Sequence, residues 1–73
     1  MVNEQWWKQH GKAVKARLTR AEGNVKTQPQ FALGEAEKVF AIMDEHGYPD
    51  WWHRVERLKT DATFQVAYDE RRW

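Results

Sequence analysis

The 73-residue sequence has no cysteine, which excludes a disulfide framework, a thiolate zinc site and a cysteine nucleophile. A domain this small must then be held by packed apolar side chains alone. A small secreted domain would normally carry disulfide staples, so an intracellular setting is the expectation. No apolar run approaches the roughly 20 residues of a membrane-spanning helix. Met1–Val2–Asn3–Glu4 opens neither a signal peptide nor a transit peptide. No membrane contact is expected. Nor does the chain carry a Gly-rich phosphate loop, a nucleophile elbow or a carboxylate pair in an apolar setting. It is therefore read as a non-enzyme with no cofactor and no small-molecule substrate. There is no internal repeat and no low-complexity tract.

What the chain does have is 41% hydrophobic residues and 14% aromatic ones, including five Trp, a composition that folds rather than remaining disordered. The formal charge of +1 hides an asymmetry: residues 1–27 hold six bases against two acids, and residues 28–73 six bases against nine acids. That split bears on partners, not on fold.

Helical periodicity dominates. Asn3 can cap a helix that carries Glu4 in its first turn, and Trp7, His10, Val14, Leu18 and Ala21 recur at spacings of three and four. Gly23–Asn24 is its stop, so helix one spans about 4–22. Residues 23–30, mixed around Pro29 and without an apolar period, read as a connector. Ala32, Ala36, Val39 or Phe40, and Met43 then make a second stripe, and Gly47 is a C-cap for a helix over about 33–46. Asp50 can cap a short third helix over 51–58, with Trp51, Val55 and Leu58 inward. Lys59–Thr60–Asp61 offers a break before a fourth helix bearing Phe64, Ala67 and Tyr68 on one face. Nothing alternates with period two, so the expected fold is all-α: a small helical bundle in one domain. Its core is expected to hold Phe40, Met43, Trp51, Val55, Leu58 and Phe64.

The order from Phe31 onward is an aromatic residue, a helix opening with Glu35, Gly47, a turn, then Trp51 opening a short helix with Val55 and Leu58. This resembles the Myb/SANT class of three-helix domains over residues 31–73, with Phe31 where Trp is more usual and Phe64 or Tyr68 as the third core aromatic. The resemblance implies a three-helix unit with the basic helix one packed on it as an addition. It also implies a chromatin- or transcription-associated role in the nucleus. Asp61, Thr63 and Gln65 stand where DNA-reading members would present Lys, Arg or Asn early in the last helix, which points toward a protein partner.

Adjacent helix positions differ by about 100°, so Trp51 and Trp52 cannot both face inward. Trp51 is placed inside and Trp52 partly exposed. The same argument leaves Trp6 over once Trp7 has joined the apolar face of helix one. Trp6, Trp52 and Trp73 are therefore the candidate partner-binding residues, since Trp is enriched at binding hot spots. Lys8, Lys12, Lys15, Arg17 and Arg20 put several charges on one flank of helix one, and Arg71–Arg72 add a second basic point. These residues suit phosphates or an acidic partner. His10, His46 and His53, the last three residues from Glu56, are too scattered for a metal site and read as ordinary histidines. Two readings follow. One is a protein-interaction module using exposed Trp and charged faces. The other is a small nucleic-acid binder that grips phosphates with helix one and Arg71/Arg72 and stacks a Trp on a base.

Overall fold

Asn3 starts the first helix by a local hydrogen bond: its Oδ1 accepts from the Trp6 backbone N–H at 3.1 Å, satisfying one of the donors that every helix start leaves open. The computed structural model describes residues 2–71. They form three α-helices: α1 (Glu4–Glu22), α2 (Pro29–His46) and α3 (His53–Glu70). No strand occurs among the described residues. At the end of α1 the Gly23 N–H donates to the Thr19 carbonyl at 3.1 Å. The Asn24 side-chain amide closes the same turn on the Arg20 carbonyl at 2.8 Å.

The second helix begins earlier than the expected 33. Pro29 is its first helical residue, a position where the missing N–H has no partner to lose and the fixed φ already suits a helix. The connector therefore shortens to residues 23–28.

The expected third and fourth helices are one. α3 runs unbroken through Lys59, Thr60 and Asp61. Thr and Asp inside a helix cost only about 0.7 kcal/mol each relative to Ala, whereas Leu58 and Ala62, on either side, are both buried on one face. Tertiary packing keeps the period and the weak break is overridden. Residues 29–70 thus supply two helices, not the three that the Myb/SANT resemblance implies, and α1 is a full member of a single three-helix bundle rather than an addition to a complete one.

The helices run antiparallel in sequence order. The Asn3 N–H donates to the His46 carbonyl at 2.8 Å, which joins the start of α1 to the end of α2. Arg17 meets Glu35 at 2.8 Å further along the same pair. At the far end of α2, Gln28–Phe31 and the Val66, Asp69 and Glu70 of α3 line one shallow cleft. α2 is therefore central, and α1 meets α3 chiefly near α3's start, where Arg54 reaches Glu22 and Thr19.

The buried seam of α1 is Trp7, Gly11, Val14, Leu18 and Ala21, spaced 4, 3, 4, 3 as in helices that pack at a shallow angle. His10, expected on that face, is exposed and Gly11 takes its place. α2 buries Ala32, Ala36, Val39 and Met43, and Phe40 is only half-buried. α3 buries Val55, Leu58 and Ala62. Many of the buried positions are small: Gly11, Ala21, Ala32, Ala36 and Ala62. Phe64, expected inside, is 75% exposed. Because α3 is continuous, its phase is set by Leu58 and Ala62, and Phe64 lies about 200° round from Ala62. Trp51, also expected in the core, is half-buried in the turn before α3.

The continuity of α3 has a direct check. Thr60→Pro should cost about 3 kcal/mol or more in urea denaturation, as Pro does in a helix interior; a chain that really broke at 59–61 would tolerate it.

Candidate functional site

Trp6, Trp7, Tyr48, Trp51 and Trp52 gather at one end of the bundle, where the start of α1, the end of α2 and the 47–52 connector converge. Trp7 is the pivot. It is 8% exposed, and its indole Nε1–H donates to the Gly47 carbonyl at 3.1 Å across 40 positions of sequence. Gly47 can receive it because its backbone turns sharply, with φ 94° and ψ 164°, a region that L side chains rarely adopt. Its own N–H closes α2 on the Met43 carbonyl at 2.7 Å. The connector is thereby aimed back across α1.

Trp6 and Trp7 divide as expected, with Trp7 buried and Trp6 more exposed, but Trp51 and Trp52 do not. Trp51 meets Trp7 edge to face, with ring centroids 5.3 Å apart at 87°. Lys15 lies over the Trp51 ring, 5.3 Å from its centroid. Trp52 packs against Tyr48 at 6.0 Å and 82°, and against His53 at 4.0 Å. Both are half-buried and both touch the core. Neither belongs to the body of a helix: Trp52 is the N-cap of α3, without a side-chain cap bond. The helical-wheel argument applied to them therefore fails at its premise. Asp50, expected as a cap, stays exposed in the turn.

Trp6 lies on the other side of Trp7. Its ring stacks flat on His46, 3.8 Å between centroids at 8°, and sits 4.5 Å from His10. It is half-buried as an intramolecular spacer. Trp73 and Arg72 lie outside the described residues.

Between the start of α1 and the connector is an open groove of about 1000 Å³, lined by Trp7, Trp51, Trp52, Tyr48 and Pro49, with Glu4, Asp50 and Lys8 among its polar lining. Tyr48 donates its hydroxyl proton to Asp44 at 2.6 Å. That hydrogen bond to the carboxylate, then burial and the like charge of Asp44, raise the Tyr48 pKa above the ordinary 10.0. The Glu22 carboxylate likewise raises the pKa of Arg54.

The basic residues of α1 are all exposed but differ in their surroundings. Lys8 and Lys12 are exposed, Lys15 covers Trp51, Arg17 is paired with Glu35, and Arg20 is exposed near the end of α1. Arg71 follows α3 at the end of the bundle where α2 begins, whereas Lys8 lies beside the connector at the end of α2, and α2 itself is about 27 Å long. No group of three or more His, Asp or Glu close enough to hold a metal occurs among the described residues. No helix is long and apolar enough to cross a membrane.

Comparison with protein-family models, curated proteins and solved structures finds no match. The groove is therefore read from its own chemistry. Sequence reasoning found Trp52 and Lys8 in it, but read Tyr48, Pro49, Asp50 and Glu4 only as turn and cap residues. A signal was available: three aromatic residues within five positions, Tyr48, Trp51 and Trp52, in a segment too short to bury them all.

Two measurements check this geometry. Gly47→Ala should cost about 1–3 kcal/mol by forcing a side chain into its backbone region, whereas Gly34→Ala should gain about 1 kcal/mol, since Gly34 is mid-helix with nothing within 4 Å of an added Cβ; thermal denaturation reads both. Because the folded pKa of Tyr48 is raised, the contribution of its bond to Asp44 is fully present below the ordinary tyrosine range and is lost as pH rises through the folded value. Tyrosinate absorbance should show one of the two tyrosines titrating late, and Asp44→Asn should shift that step down.

Proposed function

We propose that the protein is a non-catalytic interaction module that holds a segment of a partner protein in the aromatic groove, with Trp51 and Trp52 as anchors. The observation that carries the reading is the convergence of Trp7, Trp51, Trp52, Tyr48 and Pro49 on one open concavity. Rigid aromatic residues around a desolvated pocket are the usual centre of binding energy at protein interfaces. Glu4 and Asp50 beside them suit a partner residue with a basic head and an apolar stem. Lys8 and Lys12 stand exposed on α1 to steer an acidic flank of the same partner.

The nucleic-acid reading needs Lys8, Lys12 and Lys15 to act with Arg71 and Arg72. The separation of Lys8 from Arg71 and the engagement of Lys15 and Arg17 within the fold weigh against it. The chromatin association implied by the Myb/SANT resemblance gains nothing from the helix geometry, and the proposal does without it.

Selection of ligands from a displayed random-peptide library tests the reading. Peptides with an apolar and a basic residue should emerge, and Trp52→Ala should weaken them at least tenfold while the far-ultraviolet dichroism is unchanged. Changing Lys8, Lys12 and Lys15 to Ala should mainly slow association. Submicromolar binding to a DNA or RNA oligonucleotide that falls steeply with salt, and is abolished by the three lysine changes, would replace this reading with the nucleic-acid one.

A further inference from the structure

The C-terminal half of α3 carries the most exposed aromatic side chains among the described residues. Phe64 is 75% and Tyr68 63% exposed. They lie on a face separate from the groove and from the buried seam of Val55, Leu58 and Ala62. Asp61, Phe64, Tyr68 and Arg71 follow one another at spacings of three, four and three, the spacing of a packing seam rather than of a solvated surface. All four are exposed. Neither Asp61 nor Arg71 has an ion-pair partner among the described residues.

The order of these residues is self-complementary. Phe64 and Tyr68 lie two positions either side of Val66, and Asp61 and Arg71 five positions either side. A two-fold axis at the level of Val66 would set two α3 helices antiparallel. It would bring Phe64 of each copy against Tyr68 of the other, and Asp61 of each against Arg71 of the other. The two-fold makes every contact twice, as an isologous interface requires. Ala67 lies beside the axis, where its small side chain permits close approach. Gln65, on the other flank, is held to Asp69 at 3.1 Å within its own helix. No comparable pairing arises for a parallel arrangement, which would set Asp61 against Asp61 and Arg71 against Arg71.

We propose that the occupant of this face is a second copy of the same chain, docked antiparallel along α3 through Phe64, Tyr68, Asp61 and Arg71. The seam is short, about 15 Å from Asp61 to Arg71 at 1.5 Å per residue. It therefore belongs with the small, weak interfaces, and the dimer is expected to form with a Kd between about 10 µM and 1 mM. The aromatic groove at the other end of the bundle stays open in such a dimer, so this inference stands apart from the proposed function.

Sedimentation equilibrium of the full chain, from about 10 µM to about 2 mM, a span set to bracket that Kd, is the test. The wild type should shift from monomer to dimer. Asp61→Arg or Arg71→Asp alone should weaken association at least tenfold, since each sets like charges opposite one another twice. The double exchange, Asp61→Arg with Arg71→Asp, should restore it to within about threefold of the wild type, an outcome expected only if the two residues face each other across the interface. Phe64→Ser should abolish association while the melting temperature, read by dichroism, stays put, because the ring is outside the core. A chain that remains monomeric throughout overturns the proposal and leaves the face to a different partner. A dimer indifferent to these changes, or one that the double exchange fails to restore, also overturns it.

Discussion

The hydrogen bond from the Trp7 indole to the Gly47 carbonyl is the constraint on which the aromatic end of the bundle rests. It couples a residue in the second turn of α1 to the one glycine whose backbone can reverse the chain after α2. Were Gly47 to carry a side chain, its φ of 94° would be strained and the connector would leave α2 in another direction. Trp51 would then lose its edge-to-face contact with Trp7, and the groove between the start of α1 and the connector would have no wall. The Asn3 N–H to His46 carbonyl bond acts in the same place. It spends an otherwise open helix-start donor on an otherwise open helix-end carbonyl, so α1 and α2 cap one another.

Away from that end the bundle depends on smallness. The central helix buries two alanines, a valine and a methionine, and α1 and α3 answer with Gly11, Ala21 and Ala62 among their buried residues. The large rings lie instead at the aromatic end, where Trp7 meets Trp51 edge to face and Trp52 packs on Tyr48 and His53, or on the outside of α3, where Phe64 and Tyr68 are exposed.

Charge plays a smaller part. The Arg17–Glu35 and Arg54–Glu22 pairs bridge helices at 2.8 and 2.7 Å, but each has at least one partner substantially exposed to water, where such pairs contribute about 0–1 kcal/mol. They refine the register between helices that apolar seams already hold together. On α1, Arg17 is paired with Glu35 and Lys15 lies over Trp51, while both stay exposed to solvent.

Several features were legible in the sequence alone because they depend on neighbours three or four positions away. The all-α class, both ends of α1 with their Asn3 and Gly23 signals, the end of α2 at Gly47, and the inward places of Met43, Val55 and Leu58 all follow from local spacing and capping chemistry. Other features depend on contacts that local spacing does not encode. Whether Lys59–Thr60–Asp61 interrupts α3 turned on a propensity cost of about 0.7 kcal/mol at each of Thr60 and Asp61, set against the burial of Leu58 and Ala62. That outcome alone reset the phase of everything after it, turning Phe64 outward. Val39 took the buried place over Phe40, and Gly11 over His10, according to which side of each helix faces its neighbours in the bundle. The shared half-burial of Trp51 and Trp52 came from their lying in a turn aimed at Trp7, a residue more than 40 positions away. Local periodicity determined which segments are helical and roughly which face of each is apolar; only the packed bundle decided the phase of α3 and the path of the connector after Gly47, and hence which aromatic side chains were left to build a surface.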